Sequence, residues 1–233
     1  MKVQGCIFDL DGTLLDTVES IARCANQALE AYGFSGHATE KYNYFAGDGQ
    51  VELLRRALKA SGDEQGTYLN RVIETYTKLF QEGCMYHVKP YDGIVDLLQN
   101  LQQKGMKLAV LSNKDDQNVK DMIARFFPEG MFQYVAGRRE GIPKKPDPSG
   151  VALILKEWKI QPDQCIYMGD TNTDMQTGRN AHAITIGVTW GFRLREELQQ
   201  CHPYAIIDQP QELLRLIDSS CEREKEKRKG MGQ

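Results

Sequence analysis

Apolar residues along this chain follow two rhythms. In the first they recur at intervals of three and four: Val18, Ile21, Ala22, Ala25, Ala28, Leu29 and Tyr32 up to Gly33, then the stretch from Gln50 to Ala60, then Thr67 to Phe80, where Leu69, Val72, Ile73, Tyr76, Leu79 and Phe80 share a side. That spacing predicts three amphipathic helices with no strand between them. Asp16, with Glu19 three residues on, reads as the capping pair of the first helix. From Ile94 onward helical periods alternate with short apolar runs. A helix on Ile94, Leu97, Leu98 and Leu101 closes at Gly105, and the run Lys107 to Leu111 leads to a helix over 115–127. Further runs fall at Tyr134 to Ala136, Cys165 to Met168, Ala183 to Val188 and Tyr204 to Ile207, before a closing helix over 211–221 on Leu213, Leu214, Leu216 and Ile217. Short apolar runs separated by helices predict buried parallel strands joined by crossovers. The mostly apolar Val3 to Ile7 predicts one more strand ahead of the helical insert.

At 233 residues the chain has room for a large core and a smaller companion. Its 29 basic and 32 acidic residues are interspersed, so no basic face is available and nucleic acid is not an expected partner. No apolar run approaches the length a bilayer requires, and the amino terminus enters a strand without a basic-then-apolar leader; a soluble, cytoplasmic protein with no membrane partner is expected. The six cysteines include no Cys-x-x-Cys pair, which fits reduced thiols filling apolar positions. His37, His87, His182 and His202 lack metal-ligand spacing and read as surface or helix-end residues. The charged stretch 222–233 is expected to fray.

Chemistry enters at the strand ends. Phe8-Asp9-Leu10-Asp11-Gly12-Thr13-Leu14-Leu15-Asp16 follows the first run, so Asp9 falls where the strand gives way to solvent. Ligand sites of open parallel sheets lie there. Asp9 and Asp11 can direct one side chain and one neighbouring carbonyl at a common cation. Two carboxylates so close repel unless a cation neutralises one or a proton sits on the other, the arrangement that suits one nucleophile and one general acid. An ordinary Asp-Gly turn is the alternative. Ser112-Asn113 offers a hydroxyl and a backbone amide at a strand end before a helix, a cradle for phosphate oxygens or else a plain loop. Lys144 and Lys145, stiffened by Pro146, are either a solvated basic loop or a source of one cation for a phosphate. Gly169-Asp170 follows the Cys165 run, and Asp174 lies one turn into the next helix, where it could hold a lysine or the waters of a metal.

The stretch Asp9-Leu10-Asp11-Gly12-Thr13-Leu14 resembles the first motif of the haloacid dehalogenase-like phosphohydrolase superfamily, and the later signals stand in that superfamily's order, each after an expected strand. The Lys-Pro pair resembles its third motif and selects Lys145 over Lys144. The resemblance extends to about Leu216 and implies an α/β fold: a Rossmann-like three-layer parallel sheet core over 1–15 and 90–221, with an all-helical cap over 16–89 and hinges near Leu15 to Thr17 and Lys89 to Gly93. It further implies a Mg2+-dependent phosphomonoesterase similar to phosphoglycolate phosphatases, acting on a small phosphorylated metabolite as a monomer or homodimer. In that scheme Asp9 attacks phosphorus and forms an aspartyl phosphate, and Asp11 protonates the leaving alcohol and later activates water. The Asp9 carboxylate, the Asp11 carbonyl and Asp170 hold Mg2+, while Ser112, Asn113 and Lys145 stabilise the transferring group. Phe45-Ala46-Gly47-Asp48-Gly49 is similar to a loop of the same group, which makes Gly47, Asp48 and Gly49 candidates for substrate choice, though a Gly-rich helix connector reads equally well. Gly187 to Arg193 resembles that group too.

Neighbouring activities of the superfamily remain alternatives: pyrophosphatase, nucleotidase and sugar phosphomutase. Phosphomutases of the capped branch usually carry a histidine where this chain has Ser20, and the dehalogenases lack an acid at the position of Asp11. A non-enzymatic phospho-receiver module would be shorter and would lack both the helical insert and Gly169-Asp170.

Overall fold

Every residue of the first strand, β1 (Gly5–Phe8), is buried, as a run without polar alternation requires when both faces of a sheet are covered. The computed structural model describes residues 3–219, so the stretch 222–233, Cys221 and the last residues of the closing helix lie outside the described residues. After β1 the chain passes through β2 (Leu15–Asp16) into the helical insert of α1 (Val18–Glu30), a 3-10 turn (Thr39–Lys41), α2 (Tyr42–Phe45), α3 (Gln50–Ala60) and α4 (Leu69–Gly83), and returns through β3 (Lys89–Pro90). The remainder alternates: α5 (Ile94–Gln103), β4 (Lys107–Asp115), α6 (Asp116–Phe126), β5 (Tyr134–Arg138), α7 (Ser149–Trp158), β6 (Cys165–Gly169), α8 (Asn172–Asn180), β7 (Ile184–Val188), α9 (Arg195–Gln199), β8 (Ala205–Ile207) and a helix over 211–219.

Six strands form one parallel sheet in the order β5-β4-β1-β6-β7-β8. From β1 the chain builds outward through β4 and β5, then crosses back to β6 and builds the other way. The strand order therefore reverses at β1, and a crevice opens beyond its carboxyl end. Side chains of β1 alternate between two cores. Cys6 and Phe8 join Leu108, Val110, Ile166 and Met168 on one face, while Ile7 meets Ala109, Val151, Ile154 and Tyr167 on the other. Each fully buried Leu or Ile in these layers contributes about 1.5–3 kcal/mol. In the insert, Ile21, Ala25 and Leu29 of α1 face α4, where Tyr76 and Phe80 stack 5.1 Å apart.

Two expectations are corrected. Asp16 and Glu19 form no capping box: Leu15 and Asp16 pair antiparallel with Pro90 and Lys89, which draws Asp16 into a two-stranded neck at the base of the insert. The N-cap of α1 is Thr17, without a side-chain cap bond, and Glu19 instead meets His87 Nδ1 at 2.7 Å. The strand leading to Ser112 also does not stop at Leu111. It continues to Asp115 because β5 runs beside it, with the register broken between Leu111 and Asp115 so that residues 112–114 bulge from the ladder. The described cysteines are free thiols, and His87, His182 and His202 take positive φ beyond helix ends. No helix among the described residues is long and apolar enough to cross a membrane.

Candidate active site

β1 and β6 run side by side with Phe8 opposite Met168, and Asp9 N donates to Met168 O at 2.9 Å. The residues that follow each strand, Asp9 and Asp170, are thereby brought to one point. With Asp174, they offer carboxylate oxygens that all lie within 4.8 Å of one another, and all three residues are buried. Gly12 makes this approach possible. It turns at φ +79°, and a Cβ there would lie 2.2 Å from Asp170 Oδ2. Gly191 is equally constrained, since its Cβ would fall 2.2 Å from Gly12 O.

Lys145, only 3% exposed, enters this cluster. Its Nζ lies 2.7 Å from Asp174 Oδ1 and 2.9 Å from Asp9 Oδ1. Lys144 points elsewhere, with an exposed Nζ that donates to Asp48 O at 3.2 Å. Asp174 also accepts from Tyr167 OH at 3.1 Å on Oδ1, and from Thr171 N at 3.1 Å and Thr171 Oγ1 at 2.6 Å on Oδ2. Both of its oxygens are thus engaged in seating the lysine and capping α8. Asp9 Oδ1 accepts from Leu10 N at 2.7 Å, and no hydrogen bond to its Oδ2 exists among the described residues. Asp170 accepts from Thr13 Oγ1 at 2.7 Å and Phe192 N at 2.8 Å, which leaves lone pairs on both oxygens.

The electrostatics follow from three buried carboxylates facing one ammonium. Burial pushes the Asp9 carboxyl well above the usual range, and Asp174 and Asp170 add to that push against Lys145. Burial and Asp174 push Asp170 up to about 7 against the Phe192 N–H and Thr13 hydroxyl. Burial works against the charge on Lys145, but Asp174 and Asp9 overcome it and hold the ammonium well above its ordinary range. With all three carboxyls ionised the cluster would carry more negative charge than Lys145 neutralises, so its hard oxygen donors hold protons or suit a divalent cation. Asp9 and Asp170 have donor capacity for one; Asp174 is occupied with the lysine.

Asp11 stands apart from the cluster. Its carboxylate is held by Lys114, whose Nζ lies 2.7 Å from Oδ1 and 2.9 Å from Oδ2. Ser112 Oγ accepts from Lys114 N at 3.2 Å, so its hydroxyl proton stays available to another acceptor. The Asn113 side chain spans two loops, accepting from Lys145 N at 2.8 Å and donating to Lys145 O at 3.2 Å and Gly47 O at 3.4 Å. A cavity of about 50 Å³ lies between these residues and the helical insert, lined by Asp9, Asp11, Ser112 and Lys114 from one side and by Leu53 and Phe80 from the other. Gly47 and Gly49 line it as well. Asp48 instead fastens the insert: its carboxylate pairs with Arg56 and accepts from Thr173 Oγ1. Burial acts to raise this carboxyl, yet the Thr173 and Arg56 contacts hold it below the usual range. Arg193 donates to Asn43 O and Ala46 O from the other side of the same junction.

Sequence reasoning missed Lys114, Thr13, Tyr167 and Thr173 as members of the site, together with the Phe192 amide. Position was the available signal for Thr13 and Tyr167, each within or beside a strand-end motif. Nothing local marks Lys114, whose partner is 103 residues away.

The sequence model of the haloacid dehalogenase-like hydrolases matches residues 6–188. A phosphoglycolate phosphatase of Aquifex aeolicus is 29% identical over 214 residues, which span 91% of this chain and 96% of that protein. Phosphoglycolate phosphatase 1 of Pseudomonas aeruginosa is 27% identical over 93% of this chain and 80% of its own length. Among solved structures, one from Lactobacillus delbrueckii subsp. bulgaricus, provisionally assigned as a phosphoglycolate phosphatase, superimposes with a TM-score of 0.87 at 33% identity, covering 93% of this chain and 99% of that one.

Proposed function

The chain belongs to the haloacid dehalogenase-like hydrolase family and is a phosphatase, and we propose that it hydrolyses a small phosphomonoester of the phosphoglycolate type with Mg2+ as cofactor. The observation that carries this reading is the buried Asp9 at the reversal point of the sheet, 2.9 Å from Lys145 and clustered with Asp170. Asp9 is the nucleophile: its carboxylate bonds to phosphorus in line with the leaving oxygen, giving an aspartyl phosphate and an alcohol. Asp11, two residues on, donates the proton to that oxygen and then takes one from the water that opens the acyl phosphate. Lys145, the Ser112 hydroxyl and the strand-end amide of Asn113 offset the charge that spreads over the phosphoryl oxygens, and the Asn113 side chain holds the Lys145 backbone in place. The Asp9 carboxylate, the Asp11 carbonyl and Asp170 would hold Mg2+, which when bound supplies the positive charge that lets an anionic nucleophile approach an anionic phosphate. The helical insert acts as a cap that shuts water out, with Gly47, Asp48 and Gly49 at its contact with the core. The enzyme works in the cytoplasm as a monomer or homodimer, without nucleic acid or membrane. Ser20 argues against a phosphomutase, because its hydroxyl donates to Thr17 O at 2.9 Å in a fully buried setting and supplies no acid or base.

The test is a panel of phosphorylated metabolites, pyrophosphate and nucleoside monophosphates assayed with Mg2+ and with excess chelator. Short phosphomonoesters should turn over best, and chelation should abolish turnover. Activity that survives the chelator would overturn the metal assignment, and a clear preference for pyrophosphate or nucleotides would overturn the substrate class.

A further inference from the structure

We propose that Lys114 is the specificity residue of the pocket, a binding point for a second anionic group on the substrate, a carboxylate one or two carbons from the ester oxygen. The inference rests on the phosphatase reading above and adds to it the residue that selects the substrate. Lys114 sits in the bulge between Leu111 and Asp115, its side chain is 7% exposed, and it lines the cavity beside Asp9 and Asp11. An ammonium has three N–H donors. Two of them are spent on the oxygens of Asp11, and the third has no acceptor among the described residues. The ammonium also lies over the Phe80 ring, whose centroid is 4.8 Å from Nζ. A buried, cavity-facing donor without an acceptor has a polar ligand still to gain.

Among the described residues no other lysine or arginine lines this cavity. Lys145 is bound between Asp9 and Asp174. The lining also includes Ile21, Leu53, Tyr76 and Phe80, which suit a short carbon skeleton, and its remaining polar side chains, Gln50, Asn118 and Asp115, bring no positive charge. The reach follows from Asp11. A general acid must come within about 2.6–3.2 Å of the oxygen it protonates, and Lys114 Nζ lies 2.7 Å from that same carboxylate. The ester oxygen and Nζ are thus neighbours of one group. A carboxylate attached close to that oxygen meets the free N–H; one on a long chain passes it and runs into the insert.

The test compares compounds that differ in one charge. Phosphoglycolate, ethyl phosphate (the same length with a methyl in place of the carboxylate) and p-nitrophenyl phosphate are assayed with Mg2+ on the full chain and on Lys114→Met and Lys114→Arg. The quantity read is the ratio of kcat/KM for phosphoglycolate over ethyl phosphate, in which the fraction of folded enzyme cancels. We expect a ratio of about 10 or more in the wild type, a fall of about 10- to 100-fold in Lys114→Met carried mainly by KM on phosphoglycolate, and partial rescue in Lys114→Arg. A ratio near one in the wild type, or one that Lys114→Met leaves within about threefold, overturns the proposal and leaves Lys114 a partner of Asp11 alone. If Lys114→Met is inactive on all three compounds, a wild-type series of ω-carboxyalkyl phosphates decides: efficiency must drop as the acid moves to four carbons, and a flat series overturns the assignment. Failure of the wild type on p-nitrophenyl phosphate would instead remove the phosphatase reading itself.

Discussion

Replacing Lys145 by methionine takes the one ammonium out of a cluster of three buried carboxylates while keeping most of the side chain's length and apolar stem. Removing one partner of a buried pair costs about 3–5 kcal/mol, because the charge left behind is uncompensated. For a chain of 233 residues that is about 6–20 °C in Tm. The loss should depend on pH. Without the ammonium the folded-state carboxyls rise further above their unfolded values, so their stability contribution is present at low pH and is lost as pH climbs through the folded values. In metal-free buffer the Tm deficit against wild type should therefore be larger at pH 8 than at pH 5. Turnover should fall by about 10²–10³, the usual loss when a charge-stabilising donor is removed from a transferring group. Lys144→Met is the matched control: this side chain is exposed and donates to Asp48 O, away from the carboxylate cluster, so activity should stay within a few fold. Thermal melts at both pH values in chelator, and steady-state kinetics on an aryl phosphate with Mg2+, read the two effects. The reasoning is refuted if Lys145→Met keeps turnover within a few fold, if Lys144→Met loses more, or if the deficit is no greater at pH 8.

Asp9→Asn should form no phosphoenzyme with any substrate, whereas Asp11→Asn should become phosphorylated by an activated aryl phosphate and then stall for want of a base; intact mass after brief exposure distinguishes them, and label on Asp11 would reverse the roles. In the metal-free wild type, Asp170 at about 7 and the raised Asp9 bind protons that the unfolded chain has already released, so Tm should drop between pH 5 and pH 8. Mg2+ at pH 8 and 100 times its Kd should then restore about 2.7 kcal/mol; a flat pH profile with no Mg2+ response would sink the account of the cluster. Gly12→Ala and Gly33→Ala both place a side chain at positive φ, but Gly33 has open space around it and Gly12 has Asp170 at 2.2 Å. Gly33→Ala should cost only the strain of about 1 kcal/mol with activity kept, while Gly12→Ala should also lose most turnover; equal kinetic effects would show that backbone strain alone matters there.

The sequence was sufficient for whatever is encoded within a few residues of itself. The apolar runs placed the strands, so Asp9 and Asp170 were recognisable as strand-end carboxylates, and the Lys-Pro pair separated Lys145 from Lys144 as the structure does. Three helices of the insert, α1, α3 and α4, were legible because a buried helical face imposes its period directly on the residues, whereas the four-residue α2 is too short to show one. Asp174 was expected to hold a lysine or the waters of a metal; it holds Lys145 and also caps α8, a contact that the sequence reading did not assign.

Tertiary structure decided what depends on strand order and register, which no local pattern carries. Only the sheet order puts β1 between β4 and β6, and only the pairing of Phe8 with Met168 brings Asp9 and Asp170 together. The neck between β2 and β3 took Asp16 away from its expected cap, because a ladder with Lys89 outweighs one capping bond. The bulge in β4 aims Lys114 at Asp11 across 103 residues, and the segment after β7 delivers the Phe192 amide to Asp170. A lysine in a Ser-Asn-Lys stretch looks like any solvated lysine until the fold buries it, since its chemistry here comes from an acid and an aromatic ring that lie next to it in space alone.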